Sequence, residues 1–126
     1  MHRRANEYFD NCMQYIASET ELEVLGRQLK GVALLAADTE AAGYHRYSDR
    51  ICLLQLSTRD ATYIVDTLTV SHLDPLRDVF TRSETEIVFH DADYDLRLLA
   101  RDFDLHVAFG WITSRDLRRR QRRGWA

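Results

Sequence analysis

Val32-Ala33-Leu34-Leu35-Ala36-Ala37-Asp38-Thr39-Glu40 is the stretch on which the fold turns. Its six consecutive apolar residues, preceded by Gly31, read as a β-strand buried on both faces, with two acids at its exit. Upstream, Ser18-Glu19-Thr20-Glu21 has the pattern of a helix-opening capping box, Ser18 as N-cap and Glu21 at the third helical position. Leu22, Leu25 and Leu29 then share one helical stripe, and Gly31 stops the helix. Tyr15-Ile16 reads as a short edge strand. Downstream, Ile51-Cys52-Leu53-Leu54-Gln55-Leu56 is a second long strand and Ala61 to Val65 a third. Only Ser57-Thr58-Arg59-Asp60 separates those two, which predicts a hairpin. Asp74 as N-cap and Pro75 at the first helical position predict a helix that turns Leu76, Val79 and Phe80 inward. Glu86-Ile87-Val88-Phe89 is a further strand, and Tyr94 to Arg101 a helix offering Leu98 and Leu99 to the core. Three meandering strands followed by a helical crossover to a fourth make an α/β layer fold with a mixed sheet. Val32–Ala37 sits at its centre, with Ile51–Leu56 antiparallel on one side and Ile87–Phe89 parallel on the other.

The chain of 126 residues, 45% hydrophobic and 29% charged, suits one globular domain. No apolar run reaches the roughly 18 residues of a membrane span, and no apolar segment follows the charged N-terminus as in a secretory signal. The cytoplasm is therefore the default compartment. Cys12 and Cys52 lack metal-type spacing, and free thiols are expected there. The net charge of −3 hides a split: residues 1–111 carry 11 basic and 19 acidic side chains, whereas residues 112–126 carry six arginines and one acid. An acidic body is compatible with nucleic acid when its acids gather around divalent cations, which invert the local charge.

Two acidic clusters carry the chemistry. Alternation along an extended chain puts Asp38 and Glu40 on one side, where a divalent cation would offset their repulsion. By itself Asp-x-Glu is common by chance and reads as solvated acids at a strand end. The second cluster, Phe89-His90-Asp91-Ala92-Asp93-Tyr94-Asp95-Leu96, runs from a strand into a helix. Asp91 or Asp93 there serves as an N-cap. Asp95 lies one turn before Leu98 and Leu99 on the core-facing side, where a carboxylate needs a metal or a basic partner. His90 alone reads as a histidine at the edge of the core.

With these residues in hand, the chain resembles the DEDD exonucleases, specifically the ribonuclease D branch, over about residues 15–107. Leu-Ala-Ala-Asp-Thr-Glu at 35–40 is similar to the first exonuclease motif, and Ile-Cys-Leu-Leu-Gln-Leu-Ser at 51–57 to the second strand of the branch. Tyr-Ile-Val-Asp-Thr-Leu at 63–68 resembles the third strand and its exit, and Val-Phe-His-Asp-Ala-Asp-Tyr-Asp-Leu at 88–96 the second motif. The resemblance implies a ribonuclease-H-like mixed sheet with flanking helices, incomplete at the C-terminus. It also implies hydrolysis of 3′-terminal phosphodiesters in RNA with two Mg²⁺ or Mn²⁺ ions held by four carboxylates. On that reading Asp38 bridges the two ions, Glu40 serves the nucleophile-side metal and Asp95 the other, all three converging on one small volume. Thr39, Gln55 and His90 then line the place of the terminal nucleotide, His90 without ligating metal.

The pattern breaks after Val107. The family's third motif, a tyrosine four residues before an aspartate, has no counterpart, because no tyrosine follows Tyr94 and Asp116 lacks one at that offset. The expected organisation is an N-terminal extension over 1–14, a partial exonuclease domain over 15–107, and a basic tail over 108–126. The tail reads as a phosphate-gripping arm, as a solvated basic end, or as out-of-frame sequence in a truncated gene product, the reading favoured by the abrupt change in composition. A catalytically inactive module binding nucleic acid or protein is the alternative to an active nuclease. A phosphatase-type hydrolase fits less well, since no glycine-rich phosphate loop is present. Reading the gene in its other two frames tests the out-of-frame origin: an alanine-rich helix with Tyr-x-x-x-Asp there is the expected finding, and its absence from both frames rejects it.

Overall fold

A computed structural model describes residues 13–42, 50–82 and 84–108, together with the backbone of 110–111. Its elements are β1 (Met13–Ile16), α1 (Glu19–Gln28), β2 (Leu34–Ala42), β3 (Arg50–Ser57), β4 (Thr62–Asp66), a 3₁₀ turn (Asp74–Leu76) running into α2 (Arg77–Thr81), β5 (Glu86–Phe89), α3 (Ala92–Phe103) and β6 (Gly110–Trp111). The strands form one sheet in the order β1-β4-β3-β2-β5-β6. As the pattern predicts, β2 is central, antiparallel to β3 and parallel to β5. β3 and β4 form the antiparallel hairpin, and β1 and β6 extend the sheet in parallel at its two edges.

Local chemistry accounts for most element ends. Ser18 caps α1, its hydroxyl oxygen accepting from the Glu21 N–H at 3.2 Å and its hydroxyl donating to Glu21 Oε1 at 2.9 Å. Beyond Leu29 the chain turns through Gly31, whose φ of 81° lies in the left-handed region that glycine enters without steric cost. In the β3–β4 turn, Thr58 Oγ1 accepts from the N–H groups of Asp60 and Ala61. The Asp74 reading needs correction. Asp74 is the first residue of the 3₁₀ turn, the cap position is Leu73, and the Asp74 carboxylate bonds Arg77 at 2.9 Å.

The central strand also differs from expectation, in both extent and burial. β2 starts at Leu34 and continues to Ala42, so Asp38 and Glu40 lie within the strand and not at its exit. Its burial alternates: Leu35, Ala37 and Thr39 are buried, whereas Leu34, Ala36 and Glu40 are exposed. The apolar run is thus a one-sided strand. Leu35 and Ala37 join Ile51, Leu54, Leu56, Val65, Ile87 and Phe89 in one core with Leu22, Leu25 and Leu29 of α1 and its end, Val79 and Phe80 of α2, and Leu98 and Leu99 of α3. Among the described residues the opposite sheet face is uncovered, and it displays Met13 and Tyr15 of β1 and Leu34 of β2.

α1 approaches the 3₁₀ turn so closely that a Cβ on Gly26 would stand 2.2 Å from the Pro75 carbonyl oxygen. Backbone cannot retreat as a flexible side chain would. Gly26→Ala is therefore expected to destabilise the fold, the overpacking cost of about 1–3 kcal/mol exceeding the gain of about 1 kcal/mol in helix propensity. Urea denaturation checks this, and an unchanged or higher midpoint would show that the two elements separate freely.

Candidate functional site

Asp95 enters the first turn of α3, where its N–H donates to the Asp91 carbonyl at 2.9 Å. Asp91 holds the N-cap position without a side-chain capping bond. The turn directs the Asp95 side chain into the junction between α3 and β2, and Asp95 is only 2% exposed. There Thr39, on the buried side of β2, donates its hydroxyl to Asp95 Oδ1 at 2.5 Å. The other oxygen, Oδ2, is buried and makes no hydrogen bond among the described residues.

Those surroundings raise the Asp95 pKa. Burial is the largest cause, the Thr39 bond opposes it, and the negative charges of Asp38 and Asp91 add to it. Asp38 thus stands near enough for its charge to act on Asp95, although alternation points it to the face opposite Thr39. Directly across the ladder from Asp38 is Gln55. A cleft of about 280 Å³ opens here, lined by Asp38, Gln55, Ser57, Val88 and His90 among others.

The structure therefore gathers Asp38, Gln55 and His90 around one cleft and couples Asp38 electrostatically to Asp95. It does not gather all three candidate carboxylates: no group of three or more histidine, cysteine, aspartate or glutamate side chains arranged for a metal occurs among the described residues. Glu40 is exposed two residues along β2 from Asp38. Thr39, assigned by resemblance to the nucleotide, spends its hydroxyl on Asp95 and faces inward. The residues that sequence reasoning missed surround a register shift between Glu40 and Ala41: Ala41 pairs with Ile51, Glu40 with Leu53, and Cys52 is the extra residue. A continuous run of apolar residues through Ile51–Leu54 holds no signal for that bulge.

The donor set fits a hard divalent cation at Asp38 and Asp95. A buried carboxylate oxygen without a hydrogen-bond partner, beside a second negative charge, is left uncompensated by the protein's own groups.

The raised pKa of Asp95 has a consequence in the absence of metal. The folded state binds this proton more readily than the unfolded chain, so the contribution of Asp95 to stability is fully present below the ordinary value of 3.8 and is lost as pH rises through the raised value. Asp95→Asn, which cannot ionise, is expected to melt higher than wild type at neutral pH, with the difference shrinking as pH falls through that window. Melting curves between pH 3 and 8 (roughly spanning the carboxylate range) check it; a constant difference would mean that Asp95 does not titrate as its burial requires.

A family model described as 3′-5′ exonuclease matches residues 13–115. The exosome complex exonuclease RRP6 of Saccharomyces cerevisiae is 38% identical over 99 residues, covering 78% of this chain and 14% of that protein. The catalytic core of RRP6 from Trypanosoma brucei superposes with a TM-score of 0.75 at 32% identity, over 81% of this chain and 29% of that one. Escherichia coli RNase D shares the fold, with a TM-score of 0.72 at 20% identity over 78% of this chain and 26% of its own. The chain thus spans a small part of the length of its relatives. The chain belongs to the 3′-5′ exonuclease family, in its ribonuclease D and RRP6 branch.

Proposed function

We propose that this chain carries the metal-binding front half of a 3′→5′ exoribonuclease site, with Asp38, Glu40 and Asp95 as metal carboxylates. The observation that carries the proposal is the buried, unpartnered Oδ2 of Asp95 lying within reach of the Asp38 charge. Bound Mg²⁺ or Mn²⁺ would supply Lewis acidity for water activation and positive charge for the phosphodiester oxygens.

The chain's own residues have distinct tasks. Thr39 locks Asp95 by one oxygen, which fixes the direction in which the other points. Asp38, partly exposed on the open face, connects that buried oxygen to the cleft. Glu40 follows on the same face, two residues along the strand. Gln55 and His90 flank the cleft and are placed to hold the sugar and base of a terminal nucleotide by hydrogen bonding and stacking. RNA is the favoured substrate because the relatives are named for it: RRP6 as an exosome exonuclease and E. coli RNase D as an exoribonuclease involved in structured RNA processing. One observation favours a second reading, a binding module without turnover: no third carboxylate joins Asp38 and Asp95 among the described residues.

Two measurements on the 126-residue chain separate the readings. Mn²⁺ is expected to raise the melting temperature of wild type by preferential binding to the folded form, and to raise that of Asp38→Asn little. Without metal, Asp38→Asn is expected to melt above wild type, since it removes a repulsion from Asp95. Trimming of a 3′-labelled oligoribonucleotide is expected to be weak, Mn²⁺-dependent, and abolished by the same substitution. A metal response without trimming supports the binding module, and no thermal response to Mn²⁺ in wild type rejects the metal site.

A further inference from the structure

At the register shift beside Glu40, several backbone groups are held by bonds from outside the β2–β3 ladder. Ile51 N–H donates to Asp102 Oδ2 at 3.0 Å. The Ile51 carbonyl accepts from Thr67 Oγ1 at 2.8 Å, and the Cys52 carbonyl from Thr67 N–H at 3.3 Å. The Glu40 carbonyl accepts from Cys52 Sγ at 3.1 Å. The extra residue is needed because Ile51 and Leu54 are both fully buried although three positions apart. In a regular strand one of the two would face the open side. A bulge reconciles them and bends β3 directly opposite Glu40, the residue carrying the second acid of the motif.

The groups holding the bulge are themselves fixed. Thr67 is completely buried. It is delivered by a turn in which Asp66 Oδ1 accepts from the N–H groups of Leu68 and Thr69, while Asp66 Oδ2 accepts from the Tyr15 hydroxyl at 2.5 Å. The Asp102 carboxylate accepts from Arg101 at 2.7 and 3.2 Å. Asp102 also lies on α3, seven residues and so about two turns after Asp95. One helix therefore sets Asp95 against β2 at its start and holds the β2–β3 bulge at its end.

We infer that Thr67 and Asp102 are positioning residues for Glu40: by holding the bulge they set the stance of its carboxylate relative to Asp38 and Asp95. The inference rests on the metal reading proposed above. Neither residue touches substrate or metal, and both act through the backbone of Ile51 and Cys52.

The test uses the full chain with Mn²⁺ as the probe and two readouts: Mn²⁺ affinity by calorimetry, and metal-free amide hydrogen exchange at Ala41, Ile51 and Cys52. Thr67→Val and Asp102→Ala are expected to speed exchange at these amides and weaken Mn²⁺ binding by about ten- to a hundred-fold, the range seen for groups that orient metal ligands. Thr67→Ser, which keeps the hydroxyl, and Asp102→Asn, which keeps an acceptor for Ile51, are expected to restore affinity to near wild type. Val79→Ala, a core truncation on α2, is the control for general loss of stability and is expected to leave affinity unchanged. Should Thr67→Val fail to fold, Asp102→Ala carries the same test from nearer the surface. Wild-type affinity in both Thr67→Val and Asp102→Ala overturns the positioning role alone. Equal loss of affinity in Val79→Ala also overturns it, as does failure of both conservative variants to rescue. Absence of Mn²⁺ binding in wild type, with those amides protected, removes the metal reading and this inference with it.

Discussion

Thr39 and Asp95 meet across the join of strand and helix, and the arrangement of the site follows from what that bond does and does not supply. A hydrogen bond to a charged group contributes about 1.5–3 kcal/mol, whereas withdrawing a carboxylate from water costs several kcal/mol even after relaxation. One hydroxyl therefore cannot neutralise a carboxylate that is 2% exposed. The shortfall appears as the raised pKa of Asp95 and as an oxygen without a partner. Arginine could have met it, but the described arginines nearest in sequence bond elsewhere, Arg97 to the Asp93 carbonyl and Arg101 to Asp102. What remains beside Asp95 is further negative charge, from Asp38 and Asp91, which raises its pKa and cannot neutralise it.

That constraint explains why the fold exposes what it does. Parallel pairing of β2 with β5 brings Ala37 beside Phe89, so Asp38, still within β2, stands next to the segment that leads from the end of β5 into α3. The described helices pack on the face of Leu35, Ala37 and Thr39, leaving Asp38 and Glu40 on the uncovered side with Gln55. The strand thus divides its residues between a structural side and a chemical side. Thr39 belongs to the first and its two neighbours to the second.

Much of this was legible in the residues themselves, for reasons that can be separated. The hairpin and the Ser18 cap follow from local patterns, since turns and caps act over a few residues, whereas β6 carried no such pattern. The nearness of Asp38 to Asp95 follows from reading the strands beside them, β2 and β5, as parallel neighbours. One-sided burial of β2 was not, because six apolar residues look alike whether one face or two are covered. Asp74 read as a helix cap because the residue before a proline commonly is one, but Arg77 competes for its carboxylate one turn on. The bulge was invisible. The groups that hold it, Thr67 and Asp102, reach it from other elements, and nothing near Cys52 announces them.

Parallel pairing at the centre of the sheet also sets the order in which the molecule can form. The β3–β4 hairpin closes through a four-residue turn, and loops of that length close quickly. Thr39 and Asp95 are 56 positions apart, and their bond cannot form until β5 has crossed over and docked on β2. Contacts of such long range carry the largest entropic cost of closure and slow folding accordingly. Until that docking, Asp38 and Asp95 remain separate, hydrated carboxylates with no reason to share an ion. The junction of Asp38 and Asp95 is therefore a late product of folding, and any ligand of both carboxylates meets the finished domain, not the early chain.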